Sequence, residues 1–284
     1  MTRKLRLDVV GDPIEHSKSP LIHGTALQEL DLPYEYRKVK VQKGALPDYI
    51  NNAKKSDVLG FNLTMPHKQD IIPYLDYIDP EAERFHSVNT VHINDGKLYG
   101  YNTDGCGFVY AMKDLGYCAE NKNIVILGAG GVVSTIALKM ELEGAKKITI
   151  LNRTLSSAES IAKKLTQVKV LTNTLTCENI KNAVMDCDVL VNGTPLGMEG
   201  MKQDFEDLTF LDSLKEGALV YDLIYTPEET NLIKAAKQLG FSTINGFGML
   251  IYQGLLADEI FLGHSLNFEL LKKKIENKFK NLKK

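Results

Sequence analysis

The chain has 284 residues, 44% of them apolar and 25% charged, the balance of a soluble globular protein long enough for one large domain or two of ordinary size. Its net charge of −2 excludes a global field of the kind that draws nucleic acid or a membrane surface. Cys106, Cys118, Cys177 and Cys187 form no Cys-x-x-Cys pair and read as reduced thiols. In chain order, Met1 to Arg6 leads into only a short apolar run that Gly11-Asp12-Pro13 ends, so neither a signal peptide nor a membrane span is expected, and the cytoplasm follows by default. Leu7 to Val10 reads as a first strand. Ser19-Pro20 starts a helix to about Leu30, Tyr34 to Val41 alternates as a strand, and Leu46 to Lys54 has helical spacing. Val58 to Leu63 is a buried strand, and Pro66 opens another helix. Asn89 to Ile93 and Lys97 to Tyr101 flank the hairpin signal Asn94-Asp95-Gly96.

Three polar clusters in this first part lie where strands end, the place at which open α/β sheets bind ligands. Ser17 and Ser19, two apart on the loop after the first strand, can grip a carboxylate from one side, or Ser19 can cap the helix that Pro20 begins. Asn62 and Thr64 alternate with Phe61 and Leu63, and Lys68 follows in the first turn after Pro66, where a cation opposes the helix dipole. A solvated surface lysine is the competing reading. Asp104, in Tyr101-Asn102-Thr103-Asp104-Gly105, either caps the next helix or projects into a cleft. An ammonium and a carboxylate beside a nicotinamide form a proton-transfer pair for reduction of a ketone.

The second part opens on Ile124-Val125-Ile126-Leu127, a buried parallel strand by composition, followed by Gly128-Ala129-Gly130-Gly131 and a helical stretch from Val132 to about Glu143. Lys147 to Leu151 is the next strand. This strand, glycine turn, helix and strand have the length of a dinucleotide-binding unit, with the pyrophosphate expected at the helix N-terminus, although Val133 fills the place of the third fingerprint glycine. The second strand ends in Asn152-Arg153-Thr154, where an NAD site would carry an acid. The guanidinium fork of Arg153 and the hydroxyl of Thr154 suit the 2′-phosphate of NADP. Strands follow near Val168 to Leu171, Val189 to Asn192 and Leu219 to Leu223, with helices between. The Lys-rich end, with Leu271, Ile275, Phe279 and Leu282 at helical spacing, is a final amphipathic helix whose lysines face solvent. The six histidines show no metal-ligand spacing, so no metal is expected. The class is α/β: an N-terminal α/β domain with mostly parallel sheet, a Rossmann-type domain, and C-terminal helices returning to the first.

Taken together, Pro13-Ile14 with His16 to Pro20, Asn62 to Lys68, Val88-Asn89-Thr90, Gly100 to Gly105, Gly128 to Gly131, Asn152-Arg153-Thr154, Thr194 to Met198, Asp222 with Tyr225 and Pro227, and Asn245-Gly246 with Met249-Leu250 and Gln253 resemble the shikimate dehydrogenase family over essentially the whole chain. The resemblance implies reversible NADPH-dependent reduction of 3-dehydroshikimate to shikimate, a step toward aromatic amino acids, by a monomer or homodimer. It implies a substrate domain of residues 1–104 and 247–284 and an NADP domain of residues 105–246. Lys68 is implied as the acid/base residue with Asp104 as its partner. Ser17 and Ser19 are implied at the substrate carboxylate, with Asn62, Thr64, Asn89, Tyr225 and Gln253 completing the substrate shell. Gly128, Ala129, Gly130, Gly131, Asn152, Arg153, Thr154, Thr194, Gly246 and Met249 are implied at NADP. The chain departs from the family pattern at Gly24, at Phe85-His86-Ser87, at Gly193 in place of a common alanine, and at Ser157 in place of a second phosphate-binding arginine. A quinate-accepting or NAD-using relative would be expected to lose Ser19 and gain an acid near Asn152. A non-catalytic regulator binding NADP or shikimate would be expected to lose Lys68 or Asp104, and both are present.

Overall fold

The first strand, β1 (Leu5–Gly11), carries Leu7, Val9 and Val10 fully buried, as a central parallel strand requires. It is followed by α1 (Ser19–Glu29), β2 (Tyr34–Lys40), α2 (Leu46–Lys54), β3 (Val58–Leu63), α3 (His67–Asp70), β4 (Tyr77–Ile78), α4 (Pro80–Phe85), β5 (Thr90–Asn94) and β6 (Lys97–Tyr101). These strands form one sheet in the order β2-β1-β3-β5-β6-β4, parallel on the β1 side and antiparallel through the β5–β6 hairpin. Asp95 and Gly96 at the hairpin tip both have positive φ, the geometry of a turn that matches strand twist. Two short elements, β4 and α4, have no counterpart in the sequence reading. Helix α4 begins where the Asp79 carboxylate accepts hydrogen bonds from the Glu81 and Ala82 amides.

Helix α5 (Asp104–Lys113) leads to β7 (Asn123–Leu127), α6 (Gly131–Leu142), β8 (Lys147–Asn152), α7 (Leu155–Ala162), β9 (Lys169–Thr174), α8 (Cys177–Val184), β10 (Val189–Asn192), β11 (Leu219–Asp222), α9 (Asn231–Gln238) and β12 (Ser242–Asn245). This second sheet is entirely parallel, in the order β12-β11-β10-β7-β8-β9. That is the doubly wound dinucleotide-binding order, with its switch point at the carboxyl ends of β7 and β10. Ile124, Val125, Ile126 and Leu127 are completely buried, and a core of Leu127, Leu151, Leu190, Phe210, Leu211 and Val220 packs beside them. The chain closes with α10 (Gly246–Leu262) and α11 (Phe268–Leu282).

By its internal contacts the chain forms two units, one running to Gly107 and resuming at Ile251, the other covering Phe108–Leu250. The structure describes residues 4–282, so residues 1–3 of the N-terminal segment and residues 283 and 284 of the expected final helix lie outside the described residues. In α11, Leu271 and Ile275 are buried and Lys274 pairs with Glu29 of α1 at 3.2 Å. Leu282, expected on the apolar face, is 70% exposed. None of the helices among the described residues is long and apolar enough to cross a membrane. None of the four cysteines forms a disulfide among the described residues.

Candidate active site

In the first unit, β3 delivers Asn62 at its buried end, and the chain then bends through Thr64 into α3. The Thr64 amide donates to the Val10 carbonyl (3.0 Å), while the His67 ring holds the Val41 carbonyl at 2.7 Å. Gly11 leaves the space for this bend, because a Cβ there would lie 2.3 Å from Thr64 Cγ2. The Lys68 carbonyl accepts from the Val88 amide (2.8 Å), so the backbone carrying Lys68 is tied to that carrying Asn89. Lys68 Nζ donates to Asp104 Oδ2 at 2.6 Å, and Asn89 Nδ2 donates to Asp104 Oδ1 at 2.9 Å. Asp104 is 6% exposed, so its charge is compensated by these two donors rather than by solvent.

Two expectations need correction here. Helix α3 is a single turn, too short for the dipole mismatch that singled out Lys68 to carry weight; what distinguishes Lys68 is its ion pair. Ser19 is the first residue of α1 rather than its N-cap, which is Lys18 with no side-chain cap bond. Ser17 Oγ instead accepts from the Ser19 amide at 3.3 Å, so the two hydroxyls sit together on the turn into α1. Asp104 likewise heads α5, but its carboxylate is taken by Lys68 and Asn89, and Asn102 Oδ1 accepts from the Asp104 amide instead. Gln253 of α10 lies at the edge of the cluster, its Oε1 3.5 Å from Asn89 Nδ2.

Residues to which the sequence reading gave no individual role complete the cluster. Thr103 Oγ1 accepts from Asn89 Nδ2 (2.9 Å), Thr90 Oγ1 donates to Asn89 Oδ1 (3.0 Å), and Tyr36 donates from its hydroxyl to Asn62 Oδ1 (2.7 Å). Asn62 and Thr90 are cross-strand neighbours of β3 and β5, a pairing that only the register reveals. Burial, and next the nearby Asp258 carboxylate, push the Tyr36 phenol well above its ordinary range, so it stays protonated and able to donate. A cavity of about 490 Å³ in the same unit, lined by Asp79, Glu81, Cys106 and Glu259, includes neither Lys68 nor the serines and meets this cluster only through Asn102 and Thr103.

In the second unit, Gly128 follows β7 with φ +102°, and a Cβ there would stand 2.8 Å from the Gly193 carbonyl oxygen. The turn after β7 thus touches the turn after β10 at the switch point. Val133, which replaces the third fingerprint glycine, is accommodated by Gly193: a Cβ at Gly193 would lie 2.3 Å from Val133 Cγ2. Val133, a departure from the dinucleotide fingerprint, and Gly193, a departure from the family pattern, thus pack against each other. Gly130 and Gly131, by contrast, would meet nothing within 4 Å if given a Cβ, although Gly131 opens α6. The protein's own packing gives no reason for these two glycines.

Asn192 Oδ1 accepts from the Thr194 amide (3.0 Å) and hydroxyl (2.7 Å), and Asn192 Nδ2 donates to the fully buried Asp222 (2.9 Å). Asp222 also accepts from the Thr230 hydroxyl at 2.6 Å. Burial raises its pKa against these donors. At the end of β8, Asn152 Nδ2 donates to the Thr154 carbonyl at 2.9 Å, fixing the bend into α7. Arg153 is exposed and makes no ion pair among the described residues, and the Thr154 hydroxyl caps no amide. Both are available to a phosphate. Tyr225, after β11, is 38% exposed, Gly246 starts α10 where a Cβ would strike the Leu223 carbonyl oxygen at 2.0 Å, and Met249 is buried in the same helix.

This geometry separates two kinds of glycine by experiment. Gly130→Ala is expected to change unfolding free energy by no more than about 0.5 kcal/mol while weakening dinucleotide binding. Gly128→Ala is expected to cost about 1–3 kcal/mol from its backbone conformation alone. Urea unfolding beside cofactor titration reads both, and equal stability loss in the two variants would remove the distinction.

Comparison with known proteins finds relatives over most of the chain. Residues 9–91 match the family model described as shikimate dehydrogenase substrate binding domain, and residues 110–198 match that of shikimate / quinate 5-dehydrogenase. The shikimate dehydrogenase (NADP(+)) of Alkaliphilus metalliredigens is 41% identical over 274 residues, covering 95% of this chain and 96% of that protein. A solved shikimate dehydrogenase in complex with NADP+ is 38% identical with a TM-score of 0.86, covering 98% and 97% of the two chains. The Listeria monocytogenes shikimate 5-dehydrogenase in complex with shikimate and NAD is 31% identical with a TM-score of 0.88, covering 95% and 96%.

Proposed function

Because the chain belongs to the shikimate dehydrogenase family, we propose that Lys68 and Asp104 are the pair through which it interconverts 3-dehydroshikimate and shikimate with NADP. The observation carrying this assignment is the 2.6 Å contact of Lys68 Nζ with Asp104 Oδ2 inside a cluster of short polar side chains. Shikimate is small, anionic and rich in hydroxyls, so its recognition calls for many hydrogen-bonding groups rather than apolar area. Ser17 and Ser19 donate to its carboxylate, and Asn62, Thr64, Asn89, Asp104 and Gln253 meet its ring hydroxyls. Tyr225 is assigned to the carboxylate side and Met249 to the nicotinamide.

NADPH, when bound, supplies the hydride to the C3 carbonyl carbon. Lys68 in its ammonium form gives a proton to the C3 oxygen in that reduction, and as the neutral amine takes it back in the oxidation. Asp104 holds the Lys68 ammonium in place and accepts from a substrate hydroxyl. Gly128, Ala129, Gly130 and Gly131 leave room for the pyrophosphate. Asn152, Arg153 and Thr154 receive the 2′-phosphate, and Thr194 and Gly246 flank the cofactor. The same reading makes this a cytoplasmic enzyme acting as a monomer or homodimer.

The test crosses shikimate and quinate against NADP and NAD in initial-rate assays of reduced nicotinamide formation. Turnover confined mainly to shikimate with NADP is the expected result. Comparable rates with quinate or NAD would assign the chain instead to a broader quinate/shikimate dehydrogenase and would remove Arg153 and Ser19 as determinants.

A further inference from the structure

Every hydrogen bond on one line through the first unit runs toward Asp104. Tyr36 donates to Asn62 Oδ1 (2.7 Å), Asn62 Nδ2 to Thr90 Oγ1 (3.1 Å), Thr90 to Asn89 Oδ1 (3.0 Å), and Asn89 Nδ2 to Asp104 Oδ1 (2.9 Å). The direction is not an arbitrary choice of amide orientation, because the backbone anchors each amide. The Thr103 amide N–H, which can only donate, points at Asn89 Oδ1 at 2.9 Å, so Asn89 must turn its NH₂ toward Asp104. The Asn89 carbonyl, which can only accept, lies 3.4 Å from Asn62 Nδ2, so Asn62 must turn its oxygen toward Tyr36. The single proton of the Tyr36 hydroxyl is thereby committed to Asn62.

Tyr36 is itself held from behind. The His23 ring stacks on it at 4.4 Å with only 9° between the planes, and His23 Nδ1 lies 2.6 Å from the buried Asp258 carboxylate. Asn62, Thr90, Asn89 and Asp104 are all buried, so water offers these groups no alternative partners and the bonds polarise one another.

We infer that Tyr36 and Thr90 are positioning residues, which set the orientation of Asp104, and through it of Lys68, by way of a one-directional relay across Asn62 and Asn89. This rests on the assignment of Lys68 and Asp104 as the reacting pair. Neither residue is proposed to touch substrate. Amides do not pass protons along such a line, so the relay fixes geometry and charge rather than conducting a proton.

The experiment measures kcat and KM for shikimate with NADP in the full chain carrying Tyr36→Phe, Thr90→Val, Thr90→Ser and the double change Tyr36→Phe/Thr90→Val. Tyr36→Phe keeps the ring on His23, and Thr90→Val keeps the shape of a buried side chain. Each is expected to lower kcat about tenfold, the scale of one lost hydrogen bond; KM should stay within about threefold in Thr90→Val, whereas Tyr36→Phe also removes a hydrogen-bond partner of Ser19 and is expected to raise KM as well. Thr90→Ser, which keeps the hydroxyl, should restore kcat to within about twofold of the parent. Because both changes cut the same line, the double variant should be no more than about twofold slower than either single one.

Unchanged kcat in the single variants, losses that multiply in the double variant, or a Thr90→Ser as slow as Thr90→Val would overturn the relay. A second readout does not depend on turnover: the side-chain amide resonance of Asn89 should move in Tyr36→Phe although the hydroxyl removed is three side chains away. An unmoved resonance would overturn the relay. Failure of the parent protein on shikimate with NADP would instead overturn the functional assignment, leaving the relay to be decided by the resonance.

Discussion

Lys68→Ala is expected to lower kcat for shikimate oxidation by about 10²- to 10⁴-fold, the contribution of a positioned acid/base group. The loss should appear almost wholly in kcat, since a residue that moves a proton in the transition state adds little to ground-state binding. Lys68 is only half-buried, and removing it leaves Asp104 still bonded to Asn89, so folding should survive with a cost of about 1–3 kcal/mol. Steady-state kinetics beside thermal melts separates the two effects. A Lys68→Ala protein with near-normal turnover would show that the 2.6 Å pair is structural and that the proton comes from elsewhere.

Arg153→Ala is expected to raise KM for NADP by roughly ten- to a hundredfold, while KM for NAD stays near its starting value. A hydrogen bond to a charged group contributes about 1.5–3 kcal/mol, which sets that range. Ser157 stands where a second guanidinium could have shared the task, and the Thr154 hydroxyl adds only a neutral donor, so the loss should not be buffered. Kinetics with both cofactors at fixed shikimate checks it. Parallel rises for NADP and NAD would mean that Arg153 supports the β8–α7 turn rather than recognising a 2′-phosphate.

The doubly wound half of the chain was the more legible. Four consecutive apolar residues in β7, a glycine turn and a second apolar strand are local signals, and each survives in the structure at nearly the boundaries its periodicity gives. What escaped was short or polar. Strand β4 has two residues, and β12 is Ser-Thr-Ile-Asn at a sheet edge, so neither shows an apolar period. Helix α4 could have been read, since Asp79 followed by Pro80 and Glu81 is a helix-start signature. The helix opened by Pro66 stops after one turn, and the next turn, with Pro73 in it, is 3₁₀.

At the candidate site, the spacing of motifs placed Lys68, Asn62, Asn89 and Asp104 at strand ends, but not who bonds to whom. Thr90 entered only as part of the segment Val88-Asn89-Thr90, and Tyr36 only as one position of an alternating strand. Their roles depend on β5 lying beside β3 and on the side chain of β2 reaching across β1, relations that arise only when the sheet assembles. His23 and Asp258 are 235 positions apart and meet only because α10 packs onto α1.

The fit of Val133 against Gly193 makes these two positions, far apart in sequence, a coupled pair. A methyl at 193 would fall on Val133 Cγ2, so what a substitution at either position does depends on the residue that stands at the other, and the two are not additive.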